Sequence, residues 1–176
     1  MTLSNTWTAP TPGSPGAEPL VGADRPILES FLAWQRRTLL NICAGLTGEQ
    51  LATRSIPPSN LSLLGLVRHL AKVERTWFRQ RAAAQPIGPL YDPERGKDAD
   101  YDELDPAAAE HDFGVFEREC RLADAAVAGL SFDHTFELRG ETYSLRLAYV
   151  HMITEYARHN GHADLLRQAI DGVTGR

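Results

Sequence analysis

Apolar residues recur at steps of three and four along four stretches of the chain, the spacing of one buried face on an α-helix. In "DRPILESFLAWQRRTLLNICAG" the stripe is Ile27, Phe31, Trp34, Leu39 and Ile42. Asp24 is the candidate cap, Pro26 lies in the first turn, and the helix ends near Gly45. "LTGEQL" has Thr47 and Gln50 at capping-box spacing between Leu46 and Leu51, a short helical turn before the Pro57-Pro58 break. A second long helix follows in "SNLSLLGLVRHLAKVERTWFRQRAAA", with Leu63, Leu66, Leu70, Val73 and Trp77 in register. A third opens at Asp105-Pro106 and buries Phe113, Phe116, Cys120, Ala123 and Val127. The fourth runs from Leu145 to Ile170 and stops at Gly172, with Leu145, Ala148, Met152, Tyr156, Ala163, Leu166 and Ile170 on one stripe.

Three segments lack that period. Residues 1–22 are rich in Pro, Gly, Ser and Thr and are expected to form a flexible tail or to lie extended over the domain. Residues 85–104 form a long, acidic, turn-rich loop of the kind that often covers a site. Between Phe132 and Ser144 a weak alternation around Arg139-Gly140 fits either a small hairpin or an irregular connection. The expected fold class is therefore all-α: a four-helix bundle over residues 23–176 with a mobile N-terminal tail.

A chain of 176 residues can bury a core without disulfides or a structural metal, so any metal it binds is expected to be functional. A net charge of -5 argues against a nucleic-acid partner, which needs clustered basic surface. Cys43 and Cys120 are isolated within helical stretches, which suggests neither a disulfide framework nor a thiolate metal site. No apolar run reaches the ~20 residues of a membrane span and no export signal is evident, so a cytoplasmic protein is expected.

The fourth helix raises the chemical question. His159 falls near the middle of its apolar stripe, and Glu155 stacks one turn earlier nearer the edge, so both can converge on one point. His151 and His162 lie at or beyond the border of the stripe. On the second helix His69 shares a row with Val73 and Trp77, and a bundle that buries this row brings it opposite the pair. Two imidazoles and one carboxylate suit a divalent transition metal with open positions. The competing account is equally physical: an inward His is commonly a hydrogen-bonded core residue and an inward Glu pairs with Arg. His111 and His134 read as solvated surface, and Trp34 and Trp77 as core. Arg158 and Arg167 could hold a substrate carboxylate or form salt bridges, with Asp164 as a partner for either.

The stretches "SLLGLVRHLAKVERTWF" and "SLRLAYVHMITEYARHNGHADLLRQAIDG" resemble the DinB-like superfamily over residues 24–173, most closely its mini-circle-type branch. The resemblance implies a four-helix bundle, commonly dimeric, with a divalent metal held by a His of the second helix and two residues four apart on the last. His69, Glu155 and His159 occupy those positions, and the Glu–His version is that of the mycothiol-dependent maleylpyruvate isomerase. That enzyme carries a second domain which these residues do not include, and this argues against maleylpyruvate as the substrate. Zinc is the first expectation for the ion, with nickel, iron or manganese as alternatives. The implied function is activation of a low-molecular-weight thiol, of the mycothiol or bacillithiol type, for S-transfer to an electrophile or for thiol-assisted isomerisation. His162 matches a further His that could act as a general base or beside the ligands. A homodimer through helix faces is expected, with Leu64 and Phe78 as apolar positions for it. The alternative is a non-catalytic, stress-related metal-binding bundle; a mononuclear iron oxygenase shares the ligand count but not the resemblance.

Overall fold

The computed structural model describes residues 6–13, 19–92, 94, 96 and 98–174. It is mostly helical, with α1 Asp24–Cys43, α2 Gly48–Ala52, α3 Leu63–Glu74, α4 Ala99–Asp102, α5 Ala109–Val127 and α6 Leu145–Asp171. Local chemistry explains most of the boundaries. At α2 both halves of the capping box form: Thr47 N donates to Gln50 Oε1 at 3.0 Å, and Gln50 N to Thr47 Oγ1 at 3.3 Å. Ser62 and Ser144 cap α3 and α6 through Gly65 N and Leu147 N. Asp105 accepts from Ala107 N and opens a 3₁₀ turn, Pro106–Ala108, that leads into α5. Gly172 ends α6 in the left-handed conformation at φ 78°, where a Cβ would be strained.

The all-α expectation needs one amendment. A two-stranded antiparallel sheet, β1 Thr135–Leu138 and β2 Glu141–Ser144, occupies the segment before α6. Arg139 and Gly140 form its turn with φ of 56° and 84°, the paired positive values that let a two-residue loop match strand twist. Beyond Glu74, α3 widens into a π-helical stretch, Arg75–Ala82, and His134 Nε2 meets the Ala82 carbonyl at 2.9 Å, tying the hairpin to its end. His134 is thus a clamp rather than solvated surface.

In the stretch read as a tail, Ala9 N donates to Leu46 O and Gly45 N to Ala9 O. Trp7 packs edge-on against Phe113. Residues 1–5 and 14–18 lie outside the described residues.

Helix α1 runs parallel to α6. Asp24 pairs with Arg146 at their starts, Asn160 Nδ2 donates to Gln35 midway, and Arg167 Nη1 donates to Ile42 O at the end. The buried face of α1 is Leu32, Gln35, Arg36, Leu39, Ile42 and Cys43. Phe31 and Trp34 are 39% and 44% exposed, so Trp34 is not core. The apolar reading misplaced this face because α1 buries a charge. Arg36 grips Glu74 through two bonds of 2.7 and 2.8 Å and also reaches Asp124, while Tyr156 OH donates to Glu74 at 2.8 Å. Glu74 has no solvent exposure. A carboxylate there requires this many donors, and the requirement fixes how α1, α3, α5 and α6 are rotated about their axes. Asp24 also departs from expectation: it is the first helical residue, with Ala23 at the cap, and its carboxylate accepts from Arg146 instead of capping the helix.

Leu64 and Phe78, expected to face a partner, are fully buried within the chain. Their neighbours on α3 are apolar on nearly every side, the mark of a central helix. They cannot serve as dimer contacts. No helix among the described residues is long and apolar enough to cross a membrane.

Candidate metal centre

Two helices build the site. In α6, Met152, Tyr156, Ala163 and Leu166 are drawn into the core, and the bond from Tyr156 to Glu74 locks the rotation of the helix. Glu155 and His159, one turn apart, then stand on the border of the buried face. In α3, burial of Leu66, Leu70 and Val73 turns His69 toward the same point.

His69 Nε2 and His159 Nε2 each lie 3.3 Å from Glu155 Oε1. The three candidate ligand atoms all fall within 4.8 Å of one another. An ion bound at roughly 2.1 Å separates adjacent ligand atoms by about 3.0 to 3.4 Å in octahedral to tetrahedral geometry, so two edges already fit. Two imidazole nitrogens and one carboxylate oxygen are a suitable donor set for a divalent transition metal.

The electrostatics match that use. The two imidazoles, His159 first and His69 next, outweigh burial and hold the Glu155 carboxyl well below its usual range, so it is an anion. Burial works to lower the His69 pKa, but hydrogen bonds to Asp100 and Glu155 reverse this and raise it. Asp100 Oδ2 lies 2.8 Å from His69 Nδ1, and Asp100 Oδ1 accepts from Lys72 Nζ at 2.8 Å. With a proton on Nδ1, His69 presents a bare Nε2 to the centre, the arrangement in which an outer carboxylate fixes a ligating imidazole. Tyr101 stacks on the other side, 4.9 Å between ring centroids at 25°.

Asp100 and Tyr101 belong to α4, a short helix inside the aperiodic 85–104 segment, and both meet His69. Sequence reasoning did not find them. Their only sequence signal was a short acidic run, "DADYDEL", with no periodicity to orient it.

His162 is beside the triad, its ring 5.4 Å from that of His159. Burial, then His159 and Arg158, lower its pKa, so it is neutral at pH 7. His151 is one turn before Glu155 and packs on Trp77 at 4.0 Å. Trp77 is partly buried between the core and this face, and His111 is exposed as expected. Arg167 is committed to the carbonyls of Ile42 and Ala44 and to Asp171. Arg158 is exposed.

Comparison with curated proteins and with solved structures returns no significant match. The sequence profile of the family described as mycothiol-S-transferase matches residues 27–172, which span α1 to the end of α6 and include all three residues of the triad. The chain therefore belongs to the mycothiol-S-transferase family, a mycothiol-related family of the DinB-like kind that its two motifs resemble.

Proposed function

We propose that this protein is a metal-dependent thiol S-transferase: residues 23–176 form one DinB-like four-helix bundle, and His69, Glu155 and His159 hold a divalent ion, zinc first. The carrying observation is the convergence of both imidazole nitrogens on one Glu155 oxygen at 3.3 Å, on the border of the core rather than deep within it. When bound, the ion supplies a Lewis-acid centre at which a thiol of the mycothiol type ionises below its free pKa of about 8.5.

The chain's own groups supply the rest. Asp100 holds His69 in the tautomer with a free Nε2. Glu155 contributes a negative charge that tempers the centre. His162, neutral at pH 7, takes the thiol proton. The thiolate sulfur then forms a bond to the electrophilic carbon of a second substrate, and the leaving group departs with its electron pair. A cytoplasmic setting, where such thiols are kept reduced, suits this chemistry. A homodimer is part of the proposal, now through the outer face of α1 and α6. Phe31, Trp34, Leu147 and Val150 leave large apolar surface exposed there.

Metal analysis followed by titration with mycothiol, bacillithiol and glutathione, read as thiolate absorbance against pH, tests the reading. The wild type binds one ion and lowers the pKa of one of these thiols. His159→Ala loses most of the ion and keeps its circular dichroism, since the apolar core does not need the metal. His162→Ala keeps the ion and the thiol pKa but slows transfer by a factor of about 10² to 10⁴. Metal binding with no thiol binding would leave a non-catalytic metal-binding bundle as the account.

A further inference from the structure

One turn before His69, in the first turn of α3, stands a buried glycine, Gly65. Glycine weakens a helix relative to alanine and brings no side chain to a core, so a buried one calls for a reason. The reason lies directly over it. A Cβ at Gly65 would stand 3.1 Å from Tyr101 Cδ1, 3.5 Å from Tyr101 Cα and 3.2 Å from Ser62 Oγ. At Gly114 of α5, by contrast, a Cβ would meet nothing within 4 Å. The bare Cα of Gly65 is what lets the backbone of α4 come this close to α3.

Helix α4 has four residues, too few to hold a position by itself. Its place is set by α3, where Gly65, Arg68, His69 and Lys72 share one face and each meets α4. Tyr101 packs over Gly65. Arg68 Nε donates to Asp100 O at 3.1 Å, while its Nη1 donates to Asp112 of α5 at 3.1 Å. Asp100 Oδ2 lies 2.8 Å from His69 Nδ1, and Asp100 Oδ1 accepts from Lys72 Nζ at 2.8 Å. Tyr101 reaches from Gly65 to the His69 ring and stacks on it, 4.9 Å between centroids at 25°. One close approach therefore delivers both groups that touch His69 from α4: the carboxylate that meets Nδ1 and the ring that limits the tilt of the imidazole. A displacement of α4 away from Gly65 takes both off His69 together.

We propose that Gly65 is a positioning residue of the metal centre. Its missing side chain is the seat on which α4 rests, and that seat lays Asp100 and Tyr101 against His69 and so sets the tautomer of the imidazole and the direction of its Nε2. The role toward an ion rests on the metal-centre reading; the hold on His69 does not need the ion.

Gly65→Ala and Gly65→Val, each alone and in a Tyr101→Ala background, test this in the full chain, with Gly114→Ala as the control. Zinc affinity is measured by competition with a chromophoric chelator, the His69 tautomer by long-range ¹⁵N–¹H spectra of the metal-free protein, and folding by circular dichroism. Gly65→Ala is expected to weaken zinc binding and Gly65→Val to weaken it further, by about tenfold, the scale of a lost outer partner. The His69 proton moves from Nδ1 toward Nε2 in step, while the dichroism stays that of the wild type. In the Tyr101→Ala background the further loss from Gly65→Ala falls below about twofold, the non-additivity of groups in contact. Tyr101→Phe and Gly114→Ala keep wild-type affinity. Wild-type affinity with the proton still on Nδ1 in Gly65→Val overturns the proposal. So does a loss that is undiminished in the Tyr101→Ala background, since the glycine would then act through the Ser62 cap. Where Gly65→Val does not fold, Gly65→Ala is judged by the same outcomes. A wild type that binds no zinc refutes the metal centre; a metal-free His69 proton that moves in the Gly65 variants and is restored by Tyr101→Ala then still upholds the seat, and one that does not move overturns it.

Discussion

Replacing Asp100 with asparagine removes one charge from a position that is 1% exposed and 2.8 Å from His69 Nδ1. The aspartate accepts simultaneously from His69 and from Lys72, one oxygen to each. Asparagine has a single carbonyl oxygen. If that oxygen stays on Lys72, the amide NH₂ faces His69 Nδ1, which must then accept, and the imidazole proton moves to Nε2 where the metal should bind. If it turns to His69, the NH₂ confronts the Lys72 ammonium. Either arrangement penalises the metal-ready tautomer, and loss of such an outer partner typically weakens metal binding by about 10- to 100-fold, or roughly 1.4 to 2.7 kcal/mol. Competition with a chromophoric chelator measures the affinity, and long-range ¹⁵N–¹H spectra of the metal-free protein report the His69 tautomer. Circular dichroism controls for folding. An Asp100→Asn protein with wild-type affinity and the proton still on Nδ1 would falsify the assignment of Asp100 as the group that orients His69.

The pKa shifts set the pH dependence of the metal-free protein. His69 is raised above 6.5 in the fold, so its contribution is full below 6.5 and is lost as pH rises through the raised value. Glu155 is depressed below 4.5, so its contribution is present above 4.5 and lost as pH falls through the depressed value. His151 and His162, lowered in the fold, work the opposite way over the same range, so the His69 contribution is read as a difference. From pH 6 to pH 8 the metal-free wild type should lose Tm relative to metal-free His69→Gln, whereas metal stabilisation of the wild type should strengthen as protons stop competing for the imidazoles; scanning calorimetry decides, and a metal-free wild type that loses no Tm relative to His69→Gln over this range contradicts the assignment. For the dimer, sedimentation equilibrium should give about twice 19.4 kDa for the wild type and a weakened association for Trp34→Glu, which buries a charge in the α1/α6 face; a wild-type monomer at micromolar concentration removes that part of the proposal.

The helices were legible because their signals are local. The period of three and four, the Thr47–Gln50 box, Asp105-Pro106 and Gly172 act within a turn or two of chain, and α3, α5 and α6 appear where those signals place them. The Glu155–His159 pair belongs to the same class, since spacing of four on one helix fixes a common face. The meeting of that pair with His69 was only an expectation, because 86 residues separate His69 from Glu155 and no local rule sets their distance. Tertiary packing decided it, through the buried Arg36–Glu74–Tyr156 cluster that fixes the rotation of α6. The same cluster explains the misread face of α1: hydrophobic periodicity counts apolar residues, and this helix buries a guanidinium while leaving Phe31 and Trp34 outside. Asp100 lay beyond sequence reasoning for a related reason. A carboxylate in an aperiodic acidic loop looks like solvated surface until the fold lays it against an imidazole whose proton it can hold, and that juxtaposition exists only in three dimensions.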